Sequence, residues 1–220
     1  AAVAGPRNAT SDRFSLTIKG QGGHGARPHR AVDPISIGFQ VGVALQTLVS
    51  RETNPLRSAV VTIGAVHAGS VANVIPMELT MLGTVRTYDP ELRDHMRRRV
   101  GELAGGICSA MRAELDFIWR DGYPALVNDA GMAQLVRDAA SEVVDQSQIV
   151  TTEPSMGGED MAFFLEKVPG CFFNVGTGNA ALGSDYPHHH PRFDIDEGGM
   201  TTGVEVMVRA ALRYLSRTSS

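Results

Sequence analysis

Apolar residues recur with two different periods in the first half of the chain. Segments in which they alternate with polar residues are predicted to be strands with one buried face, at residues 14–19, 59–68, 77–87 and 115–119. Segments in which they recur every three or four residues are predicted to be amphipathic helices, at residues 31–50 and 92–111. The resulting βαββαβ order is typical of a ferredoxin-like sandwich with both helices on one sheet face. The strand at residues 59–68 is expected to lie at a sheet edge and to pair with a second copy.

The helical spacing also predicts which residues face the core. In the first helix these are Ile35, Phe39, Val43 and Leu48. In the second helix they are Leu92, Met96, Val100, Leu103, Ile107 and Met111. Charged residues on the opposite side of the second helix favour a solvated face there.

The pattern changes near Tyr123–Asn128 to alternating helices and short strands. Helices are predicted at residues 130–144 and 159–167, strands at residues 148–151 and 171–175, and one more helix at the end of the chain. The predicted buried stripe of that helix is Val204, Val208, Ala211, Leu212 and Leu215. Two strands do not make a stable sheet. We therefore expect an α/β (α+β) protein in which 1–11 is a linker, 12–123 one domain, and 124–220 part of a second domain.

Composition restricts the function more than the fold. The 220 residues are 43% hydrophobic and carry a net charge of −4 with a pI near 6.0, which disfavours binding to nucleic acids or anionic membranes. The two cysteines are too few for a disulfide framework, and no signal peptide or membrane span is evident. We expect a cytoplasmic protein that acts on small molecules. The chain begins with a short linker that leads directly into a predicted strand, which suggests that further residues precede Ala1.

The glycine-rich segment Gly20-Gln-Gly-Gly-His-Gly-Ala-Arg-Pro-His29 is the first candidate for chemistry. Glycine permits positive φ and close approach of the backbone, so the segment is expected to be a shaped loop that presents His24. A solvated histidine in an ordinary turn is the alternative. Phosphate binding is disfavoured because neither GxxxxGK[ST] nor GxGxxG occurs here.

Three other groups of polar residues are candidates. Consecutive residues of an extended segment alternate faces, so at most one histidine of His188–His190 could ligate a given metal ion. Glu159 and Asp160 would lie in the first turn of a helix, where simple capping explains them equally well. Asn73 in a turn and Arg86 on a polar strand face have similarly ordinary explanations.

Four stretches resemble one family when taken in order. They are GGHGARPH with Asp33-Pro34-Ile35, GSVANVIPMELTMLGTVRT from Gly69, SMGGEDMAFFLEKVPGCFFNVGTG from Ser155, and PHHHPRFDIDE from Pro187. Together they look like the metal-dependent amidohydrolases and peptidases that include hippurate hydrolase, aminoacylase and auxin-conjugate hydrolases. The resemblance covers nearly the whole chain.

The resemblance implies an enzyme that hydrolyses the amide bond of N-acyl amino acids with two divalent metal ions (Zn, Mn, Ni or Co) and dimerises through its lid domain. It implies that 12–123 is this lid domain, that 124–220 is the C-terminal part of an α/β zinc-peptidase-like catalytic domain, and that 1–11 links the two. It assigns His24 as the oxyanion partner, reaching the active site of the neighbouring subunit. It assigns His189 as a metal ligand, with His188 as a local alternate. It assigns substrate binding to Asn73, Arg86, Gly157 and Gly158.

The family's His-x-Cys-Gly-His-Asp-type motif and its Glu-Glu pair are absent from this sequence. Since they supply most metal ligands and the general base, the chain is expected to be the C-terminal part of the enzyme and inactive alone. An alternative is a non-catalytic dimerisation or ligand-sensing module built on the sandwich. RNA binding on the same sandwich is disfavoured, because the strands lack the aromatic residues and the basic face that base stacking requires.

Overall fold

A computed structural model describes residues 1–217. The chain folds into two compact units. The sandwich unit contains residues 8–126 and 155–160. The helical unit contains residues 1–7, 127–154 and those from Met161 onward. Strands of the described chain are β1 Gly5–Asn8, β2 Asp12–Lys19, β3 Gly23–His24, β4 Ala59–Ala68, β5 Val74–Ile75, β6 Glu78–Thr87, β7 Glu114–Arg120 and β8 Leu126–Asn128. Its α-helices are α1 Pro34–Thr47, α2 Pro90–Ala110, α3 Ala130–Ala140, α4 Ala162–Leu165 and α5 Gly198–Arg217.

The sandwich unit is built on a four-stranded sheet of order β4-β6-β2-β7. Its three pairings are antiparallel, with Leu16 opposite both Met81 and Phe117. Helices α1 and α2 pack on each other and on this sheet, in the β-α-β-β-α-β succession that the sequence pattern predicts. Strand β4 lies at one edge, as expected, and a bulge interrupts its register between Ile63 and Ala65.

One hydrophobic core joins the sheet to both helices. Asp33 and Asp89 cap the helices by accepting hydrogen bonds from Ile35 N and Leu92 N. The fully buried residues of the core include Leu16, Ile18, Ile37, Val41, Leu45, Leu48, Leu79, Val85, Met96 and Val100. Helix α2 buries Leu92, Met96 and Val100 as predicted, whereas Met111 is exposed.

The predicted core face of α1 is wrong at two positions. Phe39 is 66% exposed and Val43 is 73% exposed. The helix instead turns Gly38 toward the sheet, where an added Cβ would lie 2.9 Å from the Leu79 side chain. The buried stripe is Ile37, Val41 and Leu45, a second set of apolar residues at helical spacing.

Helices α3 and α5 form the core of the helical unit. The buried residues there are Ala2, Leu135, Val136, Ala139, Val206 and Ala210. The stripe predicted for α5 is therefore wrong, since Val204, Val208, Leu212 and Leu215 are 52–64% exposed. Helix α3 packs on the Val206 and Ala210 side, and the described residues leave the larger apolar stripe uncovered.

Residues 148–151 and 171–175 form no strand in the described chain, contrary to the prediction. A strand needs a ladder partner, and here the amides bond individually: Phe172 N donates to Asn128 Oδ1 at 2.8 Å and Asn174 N to Ala1 O at 2.9 Å. The helix predicted at residues 159–167 shortens to α4, so Glu159 and Asp160 precede it instead of occupying its first turn.

The expected linker at residues 1–11 also differs from the structure. Residues 5–8 form β1, which pairs with β8. Residues 155–160 group with the sandwich unit although the sequence pattern assigns them to the second domain. Among the described residues, none of the helices is long and apolar enough to cross a membrane.

Candidate functional site

The glycine-rich loop brings His24 next to the loop that carries Asn73. Strands β3 and β5 pair antiparallel with His24 opposite Val74. Gly25 N donates a 2.8 Å hydrogen bond to Asn73 O. Both side chains are exposed. Two candidates 49 residues apart in sequence thus lie on adjacent backbone segments.

Close approach, and not positive φ, explains the glycines of this loop. The glycines with positive φ are Gly5, Gly69 and Gly183, all outside it. A Cβ at Gly20 would lie 2.2 Å from Val32 O, and one at Gly25 would lie 3.0 Å from Asn73 O. Backbone atoms occupy the space that a side chain would need, so this part of the sequence expectation is only half right.

The backbone also selects the tautomer of His24. Ala26 N donates to His24 Nδ1 at 3.0 Å. A neutral imidazole that accepts at Nδ1 carries its proton on Nε2. The exposed Nε2–H is therefore a hydrogen-bond donor, which is the form that stabilisation of an oxyanion requires.

Arg86 and the Gly157–Gly158 segment lie together within the sandwich unit. Arg86 Nη1 donates to Met156 O at 3.4 Å, and the side chain is half-buried. The other N–H donors of this guanidinium form no hydrogen bond with the described residues. A guanidinium held at one corner retains donors for a bidentate contact with a carboxylate.

The three histidine rings of His188–His190 differ in their contacts. The His190 ring stacks on Tyr186 at 4.4 Å, and its Nδ1 accepts from Arg192 N at 3.1 Å. The His188 ring meets Phe193 edge-on at 4.9 Å. His189 has a positive φ of 68° and an exposed ring with no such contact among the described residues. Left-handed backbone is uncommon for a non-glycine residue and is found often at functional sites.

The described residues do not contain a complete metal site. No group of three or more His, Cys, Asp or Glu side chains in the described part of the chain could hold a metal ion. A catalytic zinc site needs about three protein ligands. His189 alone does not meet that requirement.

The residues that support the Gly157–Gly158 segment come from distant parts of the sequence and were not predicted. Ala9 N donates to Ser155 O and to Gly157 O, each at 3.1 Å. A Cβ at Gly158 would lie 2.9 Å from Ser11 Cβ and 3.1 Å from the Tyr123 ring. These residues flank predicted strands, and neither periodicity nor a motif indicated that they meet.

Comparison with known proteins gives a consistent family. The pattern of peptidase family M20/M25/M40 matches residues 8–213. An N-acetyl-L-cysteine deacetylase of Bacillus subtilis is 41% identical over 211 residues, covering 96% of this chain and 49% of the relative. The IAA-amino acid hydrolase ILR1-like 4 of Arabidopsis thaliana is 34% identical over 215 residues, with 96% and 49% coverage.

A solved structure agrees with these relatives. The Bacillus subtilis YXEP protein, described as a dinuclear metal-binding peptidase of the M20 family, matches with a TM-score of 0.77 and 31% identity over 97% of this chain and 52% of that one. The chain spans about half the length of the curated relatives it matches. With the family pattern extending from residue 8 to residue 213, the chain belongs to peptidase family M20/M25/M40, as its resemblance to metal-dependent amidohydrolases indicated.

Proposed function

We propose that this chain forms the lid domain and the C-terminal catalytic part of an amidohydrolase that cleaves N-acyl amino acids. The observation that carries the proposal is the hydrogen bond from Arg86 to Met156 O. Met156 directly precedes the Gly157–Gly158 segment. It supports a site in which a cation and a turn of backbone receive one end of a substrate. The related deacetylase and IAA-amino acid hydrolase are named for acylated amino acids, which have a free carboxylate at that end.

In this proposal Arg86 binds the substrate carboxylate. Its planar guanidinium matches the two carboxylate oxygens, and partial burial strengthens the contact relative to one in bulk water. Asn73 contributes an amide that hydrogen-bonds the substrate. The Gly157–Gly158 segment lines the pocket, because glycine lets a ligand approach the backbone closely.

His24 acts on the scissile carbonyl in the proposed reaction. When water attacks that carbonyl, negative charge develops on its oxygen, and the Nε2–H of His24 donates a hydrogen bond to it. Such a contact strengthens in the transition state and so lowers the barrier rather than tightening substrate binding. We propose, as the family resemblance implies, that His24 reaches the site of a second subunit.

His189 supplies one donor to the metal centre in this proposal. The contacts of the His188 and His190 rings with Phe193 and Tyr186 favour His189 as the free imidazole of the three. The remaining donors and the general base would come from outside the described residues, since these lack a group of three candidate ligands. We therefore propose that the 220 residues alone are inactive.

The proposed dimer forms through the ferredoxin-like sandwich. Strand β4 has a free edge among the described residues, and a free edge is a template for pairing. The exposed side chains of Phe39 and Val43 form an apolar ridge on α1, which also packs on β4. Pairing of two β4 strands would cover the edge, and the ridge would add apolar contact area.

We call the proposed binding of the substrate carboxylate by Arg86 the carboxylate clamp. It can be tested with two ligands that differ only at the carboxylate. An active enzyme that carries this chain is assayed with hippurate as substrate and with hippuramide as competitor. We expect hippurate to bind more tightly than hippuramide, and Arg86→Gln to weaken hippurate by about tenfold or more, since a charged hydrogen bond contributes about 1.5–3 kcal/mol.

Arg120→Gln is the matched control, because Arg120 lies in the same sheet, on strand β7, and is exposed. It should leave the preference for hippurate unchanged. Equal affinity for hippurate and hippuramide in the unmodified enzyme would refute the carboxylate clamp.

A further inference from the structure

Asp12 forms an ion pair with Arg93, and it directly follows Ser11, the residue against which Gly158 packs. The Asp12 carboxylate is fully buried and accepts from Arg93 Nε at 2.8 Å and from Arg93 Nη2 at 2.6 Å. The bidentate hydrogen bond to Asp12 raises the pKa of Arg93 above its usual value. Removing one partner of a pair with a buried member is destabilising, because the other charge is left uncompensated.

This pair binds the backbone of one residue at both its N–H and its C=O. Gly122 N donates to Asp12 Oδ1 at 2.9 Å, and Gly122 O accepts from Arg93 Nη2 at 3.3 Å. A Cβ at Gly122 would lie 2.0 Å from Ser11 O, so the backbone of residue 122 lies directly against that of residue 11. The ion pair therefore fixes where the chain passes after β7.

The next residue transmits that position to the proposed binding segment. Tyr123 N donates to Ser11 Oγ at 3.0 Å, and Ser11 N donates to Tyr123 O at 3.1 Å. Gly158 packs against the surface that Ser11 and Tyr123 form. The neighbouring Ala9 N bonds Ser155 O and Gly157 O. All these residues belong to the sandwich unit.

The same carboxylate residue is tied to the strand of Arg86. Thr84 Oγ1 donates to Asp12 O at 2.7 Å, and Thr84 precedes Arg86 by two residues on β6. Asp12 is thus bonded to Thr84 on the strand of Arg86, and to Gly122, which precedes the residue Tyr123 that Gly158 meets.

We propose that Asp12 and Arg93 are a positioning pair that holds the Gly157–Gly158 segment beside Arg86. This inference rests on the proposed function for its consequence in substrate binding. The pair touches neither the substrate nor the reacting atoms. It acts through the backbone N–H and C=O of Gly122 and through the Ser11–Tyr123 bonds.

The first test measures amide hydrogen exchange in the 220-residue chain. Asp12→Asn keeps the shape of the side chain but removes its charge, so the fork with Arg93 weakens. Exchange at Ala9, which reports docking of residues 155–157, should accelerate at least tenfold more than exchange at Leu16 and Met81 in the β2–β6 ladder. Equal acceleration at all three amides would show a merely structural role and overturn the proposal.

Two further variants keep the result decisive. Asp116→Asn breaks the exposed pair with Lys19 on the same sheet and should leave exchange at Ala9 unchanged. Ser11→Ala removes only the acceptor of Tyr123 N, and it should accelerate exchange at Ala9 even if Asp12→Asn fails to fold. No change at Ala9 in Ser11→Ala would contradict the proposed connection.

Titration of the active enzyme that carries this chain with hippurate separates this inference from the proposed function. We expect Asp12→Asn to weaken hippurate binding about tenfold, and Arg93→Lys to weaken it less because the positive charge remains. If Arg86→Gln leaves hippurate binding unchanged, the proposed function fails, while exchange at Ala9 still decides the positioning role. If Arg86→Gln abolishes binding and Asp12→Asn does not alter it, the positioning role fails alone.

Discussion

His24 combines an exposed position with a fixed tautomer, and its replacement tests its role directly. In an active enzyme carrying this chain, His24→Ala should lower kcat by about 10²-fold or more and change KM much less, because the lost bond belongs to the transition state. Steady-state kinetics with hippurate measures both constants. His29→Ala removes an exposed histidine from the same loop and should alter kcat by less than a few-fold. Near-normal kcat in His24→Ala would return His24 to an ordinary loop residue.

Gly83 shows how one missing side chain determines the packing of the sheet. A Cβ there would lie 2.1 Å from the Phe14 ring and 2.6 Å from Thr62 O. Gly83→Ala should lower the free energy of unfolding by about 1–3 kcal/mol, because the ring and a backbone atom must both move. Urea denaturation of the 220-residue chain measures the change.

Gly106 is the matched control for that substitution. It lies inside α2, and nothing lies within 4 Å of an added Cβ. Gly106→Ala should raise the free energy of unfolding by about 0.5–1 kcal/mol, since alanine loses less backbone entropy in a helix. A destabilised Gly106→Ala protein would show that the cost at Gly83 does not come from the contacts with Phe14 and Thr62.

At the scale of elements, the edge strand β4 and helix α1 predict self-association. Sedimentation should show a dimer, and Phe39→Lys together with Val66→Lys should raise its dissociation constant at least tenfold by placing charge on the ridge and on the edge strand. Val168→Lys, an equally exposed apolar site in the helical unit, should have no effect. A monomer at tens of micromolar with rapid exchange along β4 would contradict the predicted interface.

The packing of α3 and α5 should depend on pH through Glu142. Its carboxylate accepts hydrogen bonds from Arg213 and from Arg209, the latter at 2.9 Å, and these two bonds lower its pKa. A carboxylate whose pKa is lowered by folding stabilises the folded state above its unfolded pKa of about 4.3. That stability is lost as the pH falls from there through the folded-state pKa.

Glu142→Gln isolates this contribution. Thermal unfolding between pH 6 and pH 3 should lose part of its pH dependence in the variant. An unchanged profile in Glu142→Gln would mean that its exposed ion pairs contribute nothing measurable, as many surface pairs do.

At the scale of the whole molecule, we predict that the 220-residue chain retains no stoichiometric catalytic metal after dialysis and does not hydrolyse N-acyl amino acids. One imidazole at His189 binds a divalent ion weakly, and no group of three candidate ligands occurs among the described residues. Elemental analysis and an assay with added Zn²⁺, Mn²⁺ or Co²⁺ measure the two properties. Retention of one metal ion per chain together with turnover would refute the prediction.

The sequence by itself determined the elements of the sandwich unit and the family. Alternation at β2, β6 and β7 depends on a period of two that any half-buried strand must have. The four motif stretches were sufficient to indicate the family that the comparisons show. The positions of Asn73 and Arg86 on a loop and a strand were also predictable, because local patterns determine them.

Only the tertiary structure decided which faces are buried and which distant segments meet. Helices α1 and α5 each carry more than one apolar stripe, and only the packing partner decided that Ile37 and Val41 are buried in α1, and Val206 in α5. In the helical unit, segments with strand-like composition find no ladder partner among the described residues and bond to single groups instead. The Asp12–Arg93 pair joins residues 81 positions apart, and such long-range contacts leave no signal in a local pattern.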